Sequence, residues 1–422
     1  MQVASWLLRA AETRPDEPAL MADGRTLRYA ELAVEADRAA RRLHALGAHR
    51  GDRVAIAVPP GLAFAVALHG CLRLGAVAVP VDLRLGDAER ATRAATCALT
   101  VDAPLDGDGP DAPLLDVHDL DAVAAVIHTS GTTGTGRAVE LTYANWLWSA
   151  LGSAVALGLD PRERWLSALP LAHVGGLSIL LRSCIYATAA VVHPAFDVDA
   201  VLEELRHATL VSLVPTQLSR LLDAGLREPP RLRAVLLGGG PIPPELLERA
   251  SDAGVPVVTT YGMTEACSQI TTGGVPLFCT RVELAADGEI LVSGPTVAPA
   301  VGAILRTGDL GAWDADGTLR ITGRAADTIV SGGENVAPAE VEAVLEAHPA
   351  VIEAAVHARP DAEWGEAVVA TVVLAGGMTA TEEELRAHVR ERLAGFKVPK
   401  AVAFADALPR TPSGKLLRRL LP

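Results

Sequence analysis

Cysteine is scarce and never paired in this chain. The five thiols, Cys71, Cys97, Cys184, Cys267 and Cys279, are odd in number, scattered, and show no Cys-x-x-Cys spacing. That pattern speaks against a disulfide framework and a zinc site, and buried reduced thiols are expected instead. Long apolar runs are missing too, although half of the 422 residues are hydrophobic. The run Val54 to Leu68 is broken by Pro59-Pro60-Gly61, and Ala187 to Val192 stops at His193-Pro194. No stretch therefore reaches the length of a membrane span. Positive charge is in deficit: the formal net charge is −14, which argues against a nucleic-acid surface. Met1 to Trp6 carries neither a basic segment nor a cleavage site, so export is not expected. The expectation is a cytoplasmic globular protein whose partners are small molecules, not nucleic acid or membrane. A homo-oligomer is left open.

The length exceeds what one ordinary core accommodates, so at least two domains are expected. Apolar runs at 52–58, 75–82, 122–127, 166–171, 189–193, 209–214, 234–237 and 255–259 predict buried strands. Amphipathic stretches between them predict helices, among them 30–46, 63–74, 142–157, 177–184 and 243–252. Such alternation implies an α/β fold with a mostly parallel sheet and helices on its faces. Ligands collect at the carboxyl ends of the strands in open sheets of this kind. The segments 128–137, 173–176, 238–240 and 260–265 all follow strands. From 271 the texture changes to short strands and turns, such as Asp314-Ala315-Asp316-Gly317, which predicts a β-rich subdomain over 271–323. The remainder predicts a compact α+β domain, with helices at 338–346 and 382–393 and strands at 350–357 and 367–374. The expected organisation is a large N-terminal domain, 1–326, of stacked α/β subdomains plus the β-rich one, followed by a small α+β C-terminal domain, 327–422.

The chemically richest stretch is Thr129-Ser130-Gly131-Thr132-Thr133-Gly134-Thr135-Gly136-Arg137. Its three glycines let the backbone turn tightly and aim successive N–H groups into one concavity, and five hydroxyls add donors. A loop of that kind holds a polyphosphate without a helix dipole. The spacing Gly131-x4-Gly136 also fits the start of a Walker loop. That rival needs Lys-Ser/Thr and a helix next, whereas the chain has Arg137-Ala138 and then Val139 to Thr142, which alternates like a strand. An ordinary Gly/Thr surface loop is the remaining reading.

Further motifs follow: Tyr261-Gly262-Met263-Thr264-Glu265, Thr307-Gly308-Asp309, Gly323-Arg324 with Asp327, and Pro409 to Lys415. With the glycine loop, they stand in the order and approximate spacing of the adenylate-forming superfamily of acyl-CoA synthetases, adenylation domains and luciferases. The chain resembles that superfamily from near Leu20 to its end. The resemblance implies a two-step reaction: a carboxylate attacks the α-phosphate of ATP, pyrophosphate leaves, and a thiol takes the acyl group. It also implies ATP and Mg²⁺ as cofactors and coenzyme A as co-substrate.

The same resemblance implies roles. Thr129, Ser130, Gly131, Thr132, Thr133 and Gly134 would hold the β- and γ-phosphates. Arg137 stands where the superfamily usually has lysine, keeping the charge and altering the donor geometry. Tyr261, followed by Gly262, would stack on adenine opposite the bare backbone of Gly238, Gly239 and Gly240. Glu265 would be the Mg²⁺ ligand, a hard oxygen donor beside phosphates, with Thr264 next to it in the catalytic set. Asp309 would accept from both ribose hydroxyls, and Arg324 would donate to the same ribose. Lys415 would be the adenylation lysine, stabilising the charge that grows at the α-phosphate in the transition state. Taken singly, each has a plainer reading: a helix-terminal acid for Glu265, a turn aspartate for Asp309, a solvated tail for Ser413-Gly414-Lys415.

Within the superfamily, Leu169 to Ser178, Leu181 to Tyr186, Tyr261 to Ile270, Leu237 to Pro241 and Ser331 to Val336 are similar to the o-succinylbenzoate–CoA ligase family of menaquinone synthesis. That acid has two carboxylates, one activated and one a spectator on the ring. Arg182 would pair with the spectator directly or through water, although a helix-surface arginine is the other reading. His173 would line the acyl pocket, joined by Ser178, Gly262 and Ser268. The resemblance makes the C-terminal domain mobile about a hinge at Asp327. Rotation there withdraws Lys415 and brings the loop with Gly332 and Gly333 to the acyl-adenylate for coenzyme A. Other readings stay open: a ligase for another aryl or fatty acid, an enzyme loading a carrier protein, or a non-catalytic nucleotide-binding protein. The last is opposed by the intact Glu265, Asp309, Arg324 and Lys415. The stretch 271–309 is shorter than is usual for the superfamily.

Overall fold

The structure, a computed structural model, describes residues 1–129, 137–331, 334–361, 364–410 and 416–421. Contacts divide the chain into two compact units, 1–282 with 292–305, and 283–291 with 306–422. The first unit is built on two main sheets. One has five strands in the order Leu99–Val101, Arg53–Ile56, Val77–Pro80, Val123–His128, Ala138–Thr142. Its first four strands are parallel, and the last returns antiparallel from Val123–His128. Helix Leu62–Leu74 is buried along nearly its whole length, which explains its lack of polar periodicity. Helix Tyr29–Ala45 crosses it so closely that a Cβ on Gly70 would lie 2.8 Å from that of Ala39.

The second sheet has nine strands. In order they are Val275–Pro276, Ser268–Thr272, Val257–Met263, Ala234–Leu237, Leu210–Leu213, Arg164–Ser167, Ala189–Val192, Pro18–Ala22 and Arg25–Arg28. The inner strands are parallel and the outer pairs antiparallel. Strands such as Ala234–Leu237 are buried at every position, as sheets covered on both faces require. Several boundaries differ from expectation, the strand expected at 166–171 spanning Arg164–Ser167 for example, and two of the differences bear on the site. The strand expected at 255–259 runs on to Met263, because Ser268–Thr272 folds back and pairs with its second half. Tyr261 and Gly262 therefore lie on a strand, not in a loop after one. The helix expected from 177 begins at Val174 and takes in Gly175 and Gly176; glycine is required at 176, where a Cβ would lie 2.4 Å from the carbonyl oxygen of Pro170.

The β-rich stretch forms a four-stranded sheet, Arg281–Leu284, Glu289–Ser293, Leu305–Trp313, Leu319–Arg324. Ser268–Thr272 and Val275–Pro276 instead join the large sheet, and 283–291 and 306–326 pack with the C-terminal residues. The compact division thus lies apart from the boundary expected at 326/327. In the second unit, strands Glu334–Val336, Ile329–Ser331, Gly365–Leu374 and Val351–Asp361 form a sheet, with Ala401–Phe404 parallel to Gly365–Leu374. Val341, Leu345, Leu385 and Val389, from helices Pro338–Glu346 and Glu382–Arg390, fill its core with Val356, Val368 and Val372. Among the described residues all five cysteines are free, and no helix is long and apolar enough to cross a membrane.

Candidate active site

Several candidate residues of the first unit, among them Thr129, His173 and Gly238, stand just past the carboxyl ends of its strands, where open sheets of this kind take ligands. Strand Val123–His128 delivers Thr129, whose N–H donates to the carbonyl of Arg137 at 2.9 Å and whose hydroxyl donates to the same oxygen at 3.2 Å. With His128 opposite Ala138, these bonds close a hairpin base around the glycine loop. The strand Ala138–Thr142 that follows has the wrong structure for a Walker loop, which needs a helix. Arg137 is exposed. Ser130, Gly131, Thr132, Thr133 and Gly134 lie outside the described residues, as do Gly332, Gly333 and Lys415.

Register assembles the next group. Leu237 pairs with Thr259, so Gly238 continues its strand alongside Thr260, one residue before Tyr261. A Cβ on Gly238 would lie 2.6 Å from the Thr260 carbonyl oxygen, and Gly239 has φ +81°, so both need glycine. Gly262 is tighter still: its Cβ would fall 1.7 Å from the Ser268 carbonyl oxygen, at a bulge in the antiparallel pairing. Gly240 has no such constraint, with nothing within 4 Å.

After Met263 the chain makes a short 3-10 turn, Thr264–Ala266. The turn is fixed by a bond from Ala298 N–H to the Glu265 carbonyl, 2.8 Å. The half-buried Glu265 carboxylate pairs with no described residue, and no cluster of three or more His, Cys, Asp or Glu suited to a metal occurs among the described residues. One unengaged carboxylate is the donor set Mg²⁺ takes when substrate phosphates and water complete its shell. Glu265 fits that ion. The following residues, Cys267 and Ser268, hold φ +50° and +90°.

His173 stands at the N-cap position of helix Val174–Tyr186, its side chain making no capping bond, and is half-buried. Its Nε2 lies 3.2 Å from Nη2 of Arg84, and because a guanidinium only donates, Nε2 accepts and Nδ1 carries the proton. Arg84 is held in turn by Asp82, with Nε 2.9 Å from Oδ1 and Nη2 2.6 Å from Oδ2. Burial lowers the His173 pKa below its ordinary value; Asp82 opposes that and Arg84 adds to it. Burial pushes the Asp82 carboxyl up, but hydrogen bonds from Arg84 outweigh it and hold the group low. Neither Asp82 nor Arg84 was singled out from sequence. The signal available was their position just past strand Val77–Pro80.

Arg182 is not a surface arginine. It is 3% exposed on the same helix as His173, with Nη2 donating to Ser149 Oγ at 3.0 Å and its guanidinium carbon 5.8 Å from the Trp165 ring centre. Its Nε is buried without a partner, and no described carboxylate lies within ion-pair distance. Ser178, also buried, spends its hydroxyl on the Val174 carbonyl.

In the second unit, Asp309 and Arg324 are paired across the hairpin of strands Leu305–Trp313 and Leu319–Arg324. Arg324 Nε lies 2.9 Å from Asp309 Oδ1, with the aspartate buried and the arginine exposed. Thr307 shapes the turn, its hydroxyl accepting from Asp309 N–H at 3.1 Å. Asp327 ends the short turn Ala325–Asp327, and Arg418 Nη1 stands 3.9 Å from its carboxylate. Arg418 also grips Glu342 through Nη2, at 2.6 and 2.8 Å from the two carboxylate oxygens. Arg410 and Leu416 form a β-bridge on either side of 411–415.

A nucleotide-binding α/β architecture of this kind has known counterparts. The model of the AMP-binding enzyme family matches residues 7–102 and 101–301, and that of the AMP-binding enzyme C-terminal domain matches 340–415. The chain belongs to the AMP-binding enzyme family. It is 38% identical to a 2-succinylbenzoate–CoA ligase of Bacillus licheniformis, over the whole of both chains. Among solved structures it is similar to the o-succinylbenzoate CoA synthetase of Bacillus subtilis in complex with the acyl-adenylate intermediate. The TM-score is 0.93 at 36% identity, covering 100% of this chain and 98% of that one. The same enzyme in complex with ATP and magnesium ion matches with TM-score 0.93 and full coverage of both chains.

Proposed function

We propose that this chain is an ATP-dependent, AMP-forming acid–CoA ligase that converts 2-succinylbenzoate to 2-succinylbenzoyl-CoA in menaquinone biosynthesis. ATP, Mg²⁺ and coenzyme A are its cofactors and co-substrate, and the cytoplasm is its location. The observation that carries the choice of acid is Arg182, a buried cation with no carboxylate partner among the described residues, on the helix that His173 precedes. A buried charge is stable only when paired, and an acid with a second carboxylate supplies the partner.

The remaining roles follow the chemistry of each group. Thr129 to Gly134 hold the β- and γ-phosphates with N–H and hydroxyl donors, assisted by Arg137. Gly238 to Gly240 and Tyr261 flank adenine, with Gly262 keeping the strand close beside them. Asp309 accepts from the ribose hydroxyls and Arg324 orients that carboxylate. When bound at Glu265, beside Thr264, Mg²⁺ neutralises phosphate oxygens. His173, with Nδ1–H free to donate, lines the acid pocket with Ser178 and Ser268 and orients the reacting carboxylate. Lys415 stabilises charge at the α-phosphorus as the carboxylate attacks and pyrophosphate leaves. Asp327 acts as a hinge between the half-reactions, and the Gly332-Gly333 loop serves the thiol step.

ATP–pyrophosphate exchange across a panel of acids tests this reading. Exchange that requires 2-succinylbenzoate is expected. Exchange with benzoates or fatty acids, and none with 2-succinylbenzoate, overturns it.

A further inference from the structure

Helix Tyr143–Leu157 carries a buried serine that no role above employs. Ser149 Oγ accepts from Arg182 Nη2 at 3.0 Å and donates to the Cys267 carbonyl at 2.6 Å. The directions are fixed, because a guanidinium has no acceptor and a carbonyl no proton. Ser149 is 1% exposed and Cys267 fully buried, so water does not compete for either bond.

The two ends of this relay matter for different reasons. At one end, Arg182 has its Nε unpartnered, so Ser149 and the face of Trp165 are what hold the guanidinium in place. At the other end, Cys267 and Ser268 are two successive non-glycine residues at positive φ, directly after the turn that bears Glu265. Such backbone persists only where its surroundings over-determine it. The Ser149 bond to the Cys267 carbonyl is part of that restraint.

We infer that Ser149 is a specificity-determining positioning residue: one hydroxyl sets the guanidinium that reads the acid's second carboxylate and restrains the backbone behind Glu265. The inference rests on the reading of Arg182 given above. It ties recognition of the dicarboxylate to the geometry of the turn carrying Glu265, through a residue that touches neither substrate nor metal. Removing the hydroxyl leaves Arg182 Nη2 and the Cys267 oxygen both unpaired, and the guanidinium loses its fixed orientation.

The test compares kcat and KM for 2-succinylbenzoate with those for 4-oxo-4-phenylbutanoate, the same acid without the ring carboxylate. Wild type, Ser149→Ala, the near-isosteric Ser149→Cys and Arg182→Gln are measured. Ser149→Ala is expected to lower the diacid-to-monoacid ratio of kcat/KM about tenfold, mainly through the KM of the diacid, with Ser149→Cys between it and wild type. An equal loss for both acids, which a merely structural role would give, overturns the inference, as does an unchanged ratio. Should Ser149→Ala not fold, Ser149→Cys decides by the same ratio. If Arg182→Gln itself leaves the ratio unchanged, the carboxylate reading of Arg182 is wrong and the Ser149 inference falls with it. If Arg182→Gln collapses the ratio and the serine variants do not, Ser149 alone is misassigned.

Discussion

Nη2 of Arg84 lies 3.2 Å from Nε2 of His173, and this contact joins the carboxyl edges of the two main sheets of the first unit. Arg84 follows strand Val77–Pro80 and His173 follows strand Arg164–Ser167. Burial is the main cause that lowers the His173 pKa; the guanidinium adds to it, against Asp82, and fixes the tautomer. Arg84→Met removes that cation and is expected to raise the His173 pKa, which stays below the ordinary value because burial is the larger cause. An NMR titration of the ring measures it, and a pKa unchanged or lowered in the variant contradicts the assignment.

Stability should depend on acid through two other histidines. His69 and His118 are buried, with pKa lowered to about 4, chiefly by burial. His118 Nε2 accepts the Trp6 backbone N–H at 3.3 Å, which only a neutral ring can do. The unfolded chain binds protons near pH 6.5 and the folded one only near pH 4, so stability is full above about 6.5 and falls on acidification through that window. Each ring contributes a slope of about 1.4 kcal/mol per pH unit there. Urea unfolding of wild type and His69→Leu between pH 7.5 and 5 should show a shallower slope in the variant.

Gly262 and Gly240, two glycines of the proposed adenine site, should respond differently to a methyl group. Gly262→Ala drives a Cβ to 1.7 Å from a backbone oxygen and has to separate the strands Val257–Met263 and Ser268–Thr272. A loss of about 3 kcal/mol or more and a raised KM for ATP are expected. Gly240→Ala meets nothing within 4 Å and should stay within about 0.5 kcal/mol of wild type. Thermal melts rank the two, and equal melting points would refute the register assigned to this strand.

Asp309→Ala removes a buried acceptor and strands the Arg324 guanidinium that faces it. The KM for ATP should rise about 10- to 100-fold, in line with hydrogen bonds to a charged group. Unchanged ATP affinity would move the ribose contact elsewhere.

Lys415→Ala should lower adenylate formation by about 10²- to 10³-fold yet spare thioester formation from supplied acyl-adenylate. Single-turnover assays of each half-reaction separate the two, and an equal loss in both would count against the hinge at Asp327.

Much of the fold was legible where short-range signals are strong. Strand Ala234–Leu237 and helix Pro338–Glu346 fall on their expected bounds, one an apolar run ended by three glycines, the other opened by Pro338 at its first turn. Legibility failed where a long-range partner decides. Tyr261 and Gly262 looked like a loop because Ser268–Thr272 extends that strand only by pairing with it. Gly175 and Gly176 read as part of the segment between strand and helix, yet they belong to the helix, and the Pro170 carbonyl comes so close to Gly176 that a side chain would not fit. Ser149 gave no local sign, since a serine inside an amphipathic helix usually faces solvent.

The sequence by itself determined the superfamily and the chemical inventory, because motif order and residue type survive without coordinates: the hydroxyls and glycines of 129–136, the carboxylate of Asp309 and the ammonium of Lys415, whose proposed partners are the phosphates, the ribose and the reacting phosphate. Only the tertiary structure decided that Arg182 is buried without a counter-charge, that Asp82 and Arg84 stand behind His173, and that Ser149 ties Arg182 to the turn after Glu265. Those depend on depth and contact between residues tens of positions apart, which packing sets and one-dimensional pattern does not record.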